Sequence, residues 1–332
     1  MFSTILQELK GSLGRAFVFS AFFPVLIFTG TSLALFLEVT QGLNAALTAW
    51  GNLPVLTQSL VLLAGVVVVA FLAYLIYNFQ YTVTRLFEGY WGHGRLALFL
   101  RNAWVRKHQK RWERLNALVQ SAATPIQANE IIAEQLAFYP PPTHLDKMMP
   151  TRLGNILRAA ELYAYDRYGI DASVIWPRLR PLLKPEAVAP LEEKKTALDL
   201  MLLMALLGGL FTVLWAPVTG FAHRWDLFLL SALGLPLSWL CYQNAVQVAL
   251  AYGEQVKATF DLYRHDLLRA LNRPIPSDGE AERKEWLRLS RFFYRNLPLP
   301  PSPPASPPAD AWSRLVNALA DALEHQRPER KE

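Results

Sequence analysis

LMLLMALLGGLFTVLWAPVTGFA, residues 200–222, is a run of 23 residues without a charged side chain. Three more such runs occupy residues 16–37, most of 39–84, and 227–253. A helix that crosses the bilayer core needs about 20 apolar residues, because the core contains no water to bond backbone amides. The sequence therefore predicts an all-α integral membrane protein with four transmembrane helices, over residues 17–37, 56–78, 199–220 and 227–249.

The basic residues predict how these spans are oriented. Of the 33 Lys and Arg residues, two precede the first span, none separates the first and second, seventeen separate the second and third, one separates the third and fourth, and thirteen follow the fourth. Loops rich in Lys and Arg stay on the cytoplasmic side of the membrane. We therefore expect both termini and the long middle segment to be cytoplasmic, with two short connections outside.

The spans divide the chain into six segments. Residues 1–80 are expected to form an N-terminal transmembrane hairpin, and residues 81–190 a cytoplasmic helical segment. Residues 191–272 are expected to form a second hairpin with long cytoplasmic extensions. An amphipathic helix (273–297), a stiff proline-rich linker (298–308) and a C-terminal amphipathic helix (309–326) follow. The middle segment and the C-terminal third together make up the predicted cytoplasmic region.

The helix predicted over residues 95–120 is strongly basic. Its charged residues are seven cations and Glu113, a net charge of 7 − 1 = +6, and two tryptophans lie among them. Each cation close to an anionic membrane contributes about 1 kcal/mol to binding. Nucleic acid would use similar chemistry, but the position directly after a span makes lipid headgroups the expected partner and nucleic acid an unexpected one. The proposed lipid-binding residues are Arg95, Arg101, Trp104, Arg106, Lys107, Lys110, Arg111, Trp112 and Arg114.

The fourth span continues into a long periodic pattern. Apolar or small residues recur at alternating spacings of four and three, as in the contact seam of a coiled coil. This pattern predicts one helix over residues 226–271, about 69 Å long at 1.5 Å per residue, which extends well beyond the membrane. The seam consists of Tyr242, Val246, Ala249, Gly253, Val256, Phe260, Tyr263 and Leu267, and continues to Ala270.

One stretch of the middle segment mixes both signs of charge with three tyrosines. Such a stretch could bind a polar ligand, although helix-stabilising ion pairs such as Arg158 with Glu161 would explain most of it. The candidate polar-ligand residues are Arg152, Arg158, Glu161, Asp166, Arg167 and Asp171. In the same region Thr151 and Asp171 are expected to cap helices, the second of which should end at Ile175 before Pro177.

No catalytic residue, cofactor or metal site is predicted. Cys241, the single cysteine, has no His or carboxylate within a helical turn to act as a base. Asp261 and His265 are spaced to share a helix face, but two ligands do not make a metal site. Gly208 and Gly209 lie inside an apolar span, where close helix approach is the expected role.

Four short segments carry a resemblance. The segments FEGYW (residues 87–91) and MPTRLGN (149–155), followed by RYGID (167–171) and WPRL (176–179), resemble a family of uncharacterised bacterial multi-span inner-membrane proteins. The resemblance implies a location in a bacterial inner membrane. It implies no activity.

The sequence leaves three functional hypotheses open. We expect a non-enzymatic scaffold or signal-coupling protein, since the two long helices join cytoplasm to membrane and no catalytic constellation is evident. An oligomeric pore gated by the cytoplasmic region is the alternative, because four spans enclose little volume and a channel would need several subunits. A membrane-bound enzyme acting on a lipid or nucleotide is the third. We also expect a homo-oligomer, and the C-terminal helix must dock on its own chain or on a protein partner.

Overall fold

The computed structural model describes residues 14–295 and Val316. The described residues form helices joined by turns, with no strand among them, so the all-α prediction is confirmed. Four helices are long and apolar enough to span a membrane, which also agrees with the prediction. The linker predicted at 298–308 and the C-terminal helix predicted at 309–326 lie outside the described residues, apart from Val316.

Twelve helices in the described chain are labelled here in order. A helical turn at Gly14–Phe17 and a π-helical turn at Val18–Phe22 precede the first. The helices are α1 (Phe23–Thr40), α2 (Leu43–Gly51), α3 (Val55–Asn78), α4 (Gln80–Glu88), α5 (Arg95–Gln120), α6 (Pro125–Phe138), α7 (Arg152–Tyr168), α8 (Ala172–Leu179), α9 (Pro185–Phe221), α10 (Trp225–Ala232), α11 (Gly234–Ala270) and α12 (Gly279–Arg295).

The first hairpin pairs α1 and its preceding π-helical turn with α3. Pro24 has no N–H to bond the Ser20 carbonyl four residues before it. Gln80 at the start of α4 donates from Nε2 to that carbonyl at 3.2 Å and to the Ser20 hydroxyl at 2.7 Å. A carbonyl freed inside an apolar span is thus bonded by a side chain from the neighbouring hairpin arm.

The third and fourth spans, α9 and α11, are packed by small residues. A Cβ on Gly234 would lie 2.4 Å from the Gly208 carbonyl oxygen, so the two backbones approach more closely than an alanine would permit. Thr212 donates to the Ser231 carbonyl at 2.8 Å, and Ser238 donates to the Ala205 carbonyl at 2.6 Å. These contacts join α9 to both parts of the fourth span, with Ser231 in α10 and Gly234 and Ser238 in α11.

The helix predicted over residues 226–271 is observed over Trp225–Ala270, a continuous stretch of 46 residues. A single turn residue, Leu233, separates α10 from α11, and its backbone angles, φ −61° and ψ −19°, stay in the right-handed helical region. This turn residue lies near the Gly208 and Gly234 contact, where the fourth span meets α9 most closely. The charged end of the span is continuous, since α11 runs unbroken from Gly234 to Ala270.

Outside the four spans, the helices pack into what we call the polar region, formed by α5 to α8, α12 and the charged ends of α9 and α11. Trp286 and Leu289 of α12 are fully buried in its core, together with Phe260 and Leu268 of α11. A second core lies where the polar region meets the spans. It contains Leu153, Ile156, Leu198, Leu202, Ala245, Val246 and Ala249, from α7, α9 and α11.

Local capping explains the bounds of α7 and α8. Thr151 accepts from the Gly154 amide at 2.9 Å, and Asp171 accepts from the Ser173 amide at 3.0 Å. Gly169 ends α7 with a φ of 76°, a left-handed conformation that glycine adopts without strain. The prediction that the next helix ends at Ile175 was wrong, because α8 continues through Pro177 to Leu179. Its buried residues Ile175 and Leu179 hold it on the core.

Candidate anion-binding groove

A groove of about 960 Å³ lies along α5. Its first wall is one face of that helix, with residues at positions 103, 107, 110, 111 and 114, which follow helical spacing. Lys107 Nζ lies 4.4 Å from the Trp104 ring centroid, so that an aromatic surface supports one cation. The α5 residues lining the groove are Ala103, Trp104, Arg106, Lys107, His108, Lys110, Arg111 and Arg114.

The opposite wall comes from two other helices. Pro150, Thr151 and Arg152 line the groove at the N-terminus of α7, and Tyr242 and Gln243 line it from α11. The α7 N-terminus adds the partial positive charge of a helix dipole. Trp91, which donates from Nε1 to the Leu86 carbonyl at 2.9 Å, also lines the groove. The groove is therefore built at the place where α5, α7 and the fourth span meet.

The position of the α7 N-terminus is fixed by the chain that follows α4. A Cβ on Gly154 would lie 2.2 Å from the Glu88 carbonyl oxygen, and one on Gly89 would lie 2.2 Å from Pro150 Cγ. Thr151 donates to the Glu88 carbonyl at 3.0 Å. Two of the four segments quoted for the family resemblance, FEGYW and MPTRLGN, therefore pack directly on each other, and they require glycine where they touch.

The buried amide of Asn155 holds the loop before α7. Its Oδ1 accepts from the Met149 amide at 2.8 Å, while its Nδ2 donates to the carbonyls of Met149 and Thr151 at 2.8 and 2.9 Å. Side-chain amides that close a loop in this way fix its backbone, because each buried polar group has a partner. The Pro150–Arg152 part of the groove wall is thus rigidly supported.

The groove is strongly positive. Six of its lining residues are Lys or Arg, and none is Asp or Glu. Within residues 14–295 none of these six cations has a carboxylate at ion-pair distance, although the same structure contains thirteen ion pairs elsewhere. Like charges so close together repel each other in the empty groove. An anion in the groove would relieve that repulsion.

His108 stands at the base of the groove against Tyr139, with ring centroids 6.0 Å apart. Burial is the main cause that lowers the pKa of His108, and the charges of Arg111 and Lys107 lower it further. Its buried Nδ1 has no hydrogen-bond partner among the described residues. The imidazole therefore adds no charge of its own to the groove at neutral pH.

The structure places six of the nine residues of the predicted lipid surface on the groove. Arg95, Arg101 and Trp112 do not line it, and the Trp112 carbonyl instead accepts from Gln135 of α6 at 3.4 Å. Sequence reasoning missed Arg152, Tyr242 and Gln243, which reach the groove from distant parts of the chain. Arg152 had been assigned to the polar-ligand stretch, and its guanidinium lies 4.6 Å from the Phe138 ring centroid.

The six candidate polar-ligand residues do not form one cluster. Of these six, only Arg158 and Glu161 form an ion pair with each other, at 2.8 Å, and Arg158 also donates to the Tyr90 hydroxyl at 2.5 Å. Asp166 accepts from Thr143 at 2.6 Å, and Asp171 caps α8. Arg167 lies over the rings of two tyrosines. The candidate polar-ligand residues therefore make separate local contacts.

Asp261 and His265 also have separate partners. Asp261 accepts from Tyr163 at 2.9 Å and from Tyr168 at 2.7 Å. Burial, and then the hydrogen bond to Asp261, raises the pKa of Tyr163 to about 12. His265 contacts Glu282 at 2.8 Å, a carboxylate that also accepts from Arg264. In the part of the chain that the structure describes, no three His, Cys, Asp or Glu side chains are grouped to hold a metal ion.

The seam residues of α11 face the interior. Val246, Ala249, Gly253, Phe260 and Leu267 are buried, and the remaining three are half-buried. A Cβ on Gly253 would lie 3.3 Å from Ala160 Cβ, so that glycine admits α7 close to α11. Tyr242 stacks on Phe87 with ring centroids 5.9 Å apart, which links the seam to the groove wall.

No family model, no curated protein and no solved structure matches the chain. The chemistry of the groove is therefore inferred from its own side chains.

Proposed function

We propose that this protein is a non-enzymatic membrane scaffold that couples a cytoplasmic helical region to the bilayer. The observation that carries the proposal is the continuity of α9 and α11. Each is an unbroken helix of 37 residues with buried side chains both among the spans and in the polar region. Because a packed helix moves as a body, a displacement at its charged end is transmitted to its apolar end.

The junction core supports this role. Leu202 of α9 and Val246 of α11 pack with Leu153 and Ile156 of α7 at the place where the apolar runs end. A hinge at headgroup level would require these buried contacts to open. The proposal therefore treats the polar region and the second hairpin as one mechanical unit that extends from the membrane into the cytoplasm.

A ligand bound in the groove would act on this unit through α11. Gln243 and Tyr242 line it from α11 itself, so a molecule bound there touches one of the two continuous helices directly. In the proposed orientation the groove lies at the level of the inner-leaflet headgroups. Binding of an anion would then bias the position of α11 relative to α5 and α7.

Distance measurements between spin labels test the continuity of α9. In a Cys241→Ser background, labels at Glu186→Cys and Phe221→Cys are 35 residues apart, about 52 Å along a straight helix. We expect one narrow distance distribution in lipid nanodiscs. A pair at Val55→Cys and Phe79→Cys, exposed positions that bracket α3, is the matched control for label mobility. A broad distribution for the α9 pair alone would contradict the proposal.

Ion flux separates the scaffold from a pore. Purified full-length protein reconstituted in liposomes should leave their ion permeability unchanged. A leak that grows with the protein-to-lipid ratio would overturn the scaffold proposal in favour of an oligomeric channel.

A further inference from the structure

We infer that the groove between α5 and α7 is a discrete binding site for a phosphate-bearing group with more than one negative charge, carried by an inner-leaflet lipid headgroup or by a free phosphate compound. This inference deepens the proposed function and rests on it for the cytoplasmic placement of the groove. Such a site differs from general attraction to a charged surface, because the residues of one cavity bind the ligand and the other cations of α5 do not.

The first argument is charge. Six cations line one cavity with no carboxylate among the lining residues. A ligand with a single charge would leave most of their mutual repulsion in place, whereas two or more phosphate charges neutralise a larger share of it. Arginine supplies several donors in a planar fork that suits phosphate oxygens, and four of the six cations are arginines.

The second argument is the construction of the far wall. Arg152 begins α7, so its side chain and the positive end of the helix dipole both lie at the groove. The wall is held by the Asn155 hydrogen bonds and by the close approach of Gly154 to the Glu88 carbonyl. A supported wall opposite a basic helix face can select a ligand by size, which an exposed basic helix cannot do.

The third argument is position. Tyr242 and Gln243 belong to the apolar span of α11, near its charged end, and both line the groove. Trp104, 44% exposed, and Trp91 lie at the same place. Tryptophan is favoured at the interface between headgroups and hydrocarbon. A lipid headgroup can therefore enter the groove while its acyl chains stay in the bilayer.

The test uses the full-length protein in nanodiscs of phosphatidylcholine that contain, at equal total lipid charge, phosphatidylglycerol with one phosphate or cardiolipin with two. Native mass spectrometry measures which lipid remains bound after release from the nanodisc. We expect retention of cardiolipin over phosphatidylglycerol. A separate arm adds pyrophosphate to protein in lipid-free detergent and measures the shift in melting temperature.

A matched pair of variants locates the site. Lys110→Gln with Arg111→Gln removes two cations from the groove, and Arg95→Gln with Arg101→Gln removes two from the same helix outside it. At about fivefold for each cation near a membrane surface, we expect the first double variant to lose cardiolipin retention by about 25-fold. The second should retain it within about twofold. Melting temperatures confirm that both variants are folded.

Each outcome decides the inference. Selective retention of cardiolipin that depends on the groove cations supports a lipid source. A saturable pyrophosphate shift that depends on the same cations, without lipid retention, supports a free phosphate source. Equal losses in the two double variants would reduce the groove to nonspecific attraction and overturn the inference, as would the absence of binding in both arms. These results do not depend on the label distances in α9, so failure of the site and failure of the coupling proposal are distinguishable.

Discussion

The helices α9 and α3 are similar in apolar character but differ in how they are packed. Both contain a long apolar stretch, yet ten residues of α9 are buried in the protein, whereas Ala73 is the one buried residue of α3. In α9, Gly208 and Thr212 make backbone and hydrogen-bond contacts with the fourth span. In α3, a Cβ on Gly65 would meet nothing within 4 Å.

Small and polar side chains, and not hydrophobicity, therefore decide which of these apolar helices pack together. Between helices in lipid the hydrophobic effect contributes little, because lipid tails are as apolar as leucine. The α3 helix is held mainly by Ala73 and its neighbours against the turn at Val18–Phe22. The rest of its surface is free for lipid or for a second copy of the chain, as the expected homo-oligomer would require.

The largest change in the free energy of unfolding should come from a leucine-to-alanine substitution in α9, compared with the same substitution in α3. Leu202→Ala removes a fully buried side chain of α9 and should lower the free energy of unfolding by about 2–5 kcal/mol. Leu62→Ala in α3, where the side chain is 61% exposed, should cost less than about 1 kcal/mol. Unfolding of both variants in one detergent measures the difference. Equal losses would mean that α3 is packed as tightly as α9, in this chain or in an oligomer.

A glycine substitution should give the next largest effect. Alanine at Gly234 would place Cβ 2.4 Å from the Gly208 carbonyl oxygen and 2.5 Å from Thr212 Oγ1, so the α9–α11 pair must separate. We expect Gly234→Ala to cost about 1–3 kcal/mol. Gly65→Ala, the control in α3, should be neutral or slightly stabilising, because alanine favours the helix. A tolerated Gly234→Ala would show that close approach does not hold the pair together.

The loss of one interhelical hydrogen bond should give a smaller effect. Thr212→Val keeps the shape of the side chain and removes the donor to the Ser231 carbonyl, at a cost of about 0.6–1.7 kcal/mol. Thr57→Val, at an exposed position of α3, should be neutral. The same unfolding assay distinguishes the two. If both valine variants were neutral, polar contacts would not contribute to the difference between the helices.

Much of the fold could be predicted from local signals. The charge-free runs identified the four helices that are long and apolar enough to span a membrane, and Thr151, Gly169 and Asp171 marked helix ends through capping chemistry that acts within a few residues. The interruption at Leu233 was not predicted, although Pro236, three residues later, has no N–H to bond the Ala232 carbonyl. At the π-helical turn Val18–Phe22, Pro24 is a local signal for the freed Ser20 carbonyl, but the donor that bonds this carbonyl, Gln80, lies 60 positions away and no local pattern indicates it.

Only one wall of the groove could be predicted from local sequence patterns, because the other wall depends on contacts between distant parts of the chain. Its α5 wall is a helix face, and helical spacing places Lys107, Lys110 and Arg114 together. Its other wall depends on contacts between Glu88 and Gly154 and between α7 and α11, which no local pattern reports. The partners of Asp261 also lie outside its own helix. Its spacing from His265 suggested a shared helix face, whereas tertiary packing gave it two tyrosine partners.

The smallest expected effect is on the pH dependence of stability and comes from His108 in the polar region. There too, a buried position can be compared with an exposed one. Burial first, then Arg111 and Lys107, lowers the pKa of His108 below its ordinary 6.5. Between that lowered value and 6.5 the unfolded chain binds a proton that the folded chain does not, so acid favours unfolding. The contribution of neutral His108 to the free energy of unfolding is fully present above about pH 6.5. This contribution is lost progressively as the pH falls towards the lowered pKa.

His108→Gln should therefore flatten the dependence of melting temperature on pH below about 6.5, relative to the natural chain. His93→Gln, in the exposed segment between α4 and α5, should leave that dependence unchanged. Since both substitutions remove one histidine, the difference between them isolates the buried position from general acid effects. Parallel curves for all three proteins would show that His108 is solvated, and that the groove base is more open to water than the packing of His108 on Tyr139 indicates.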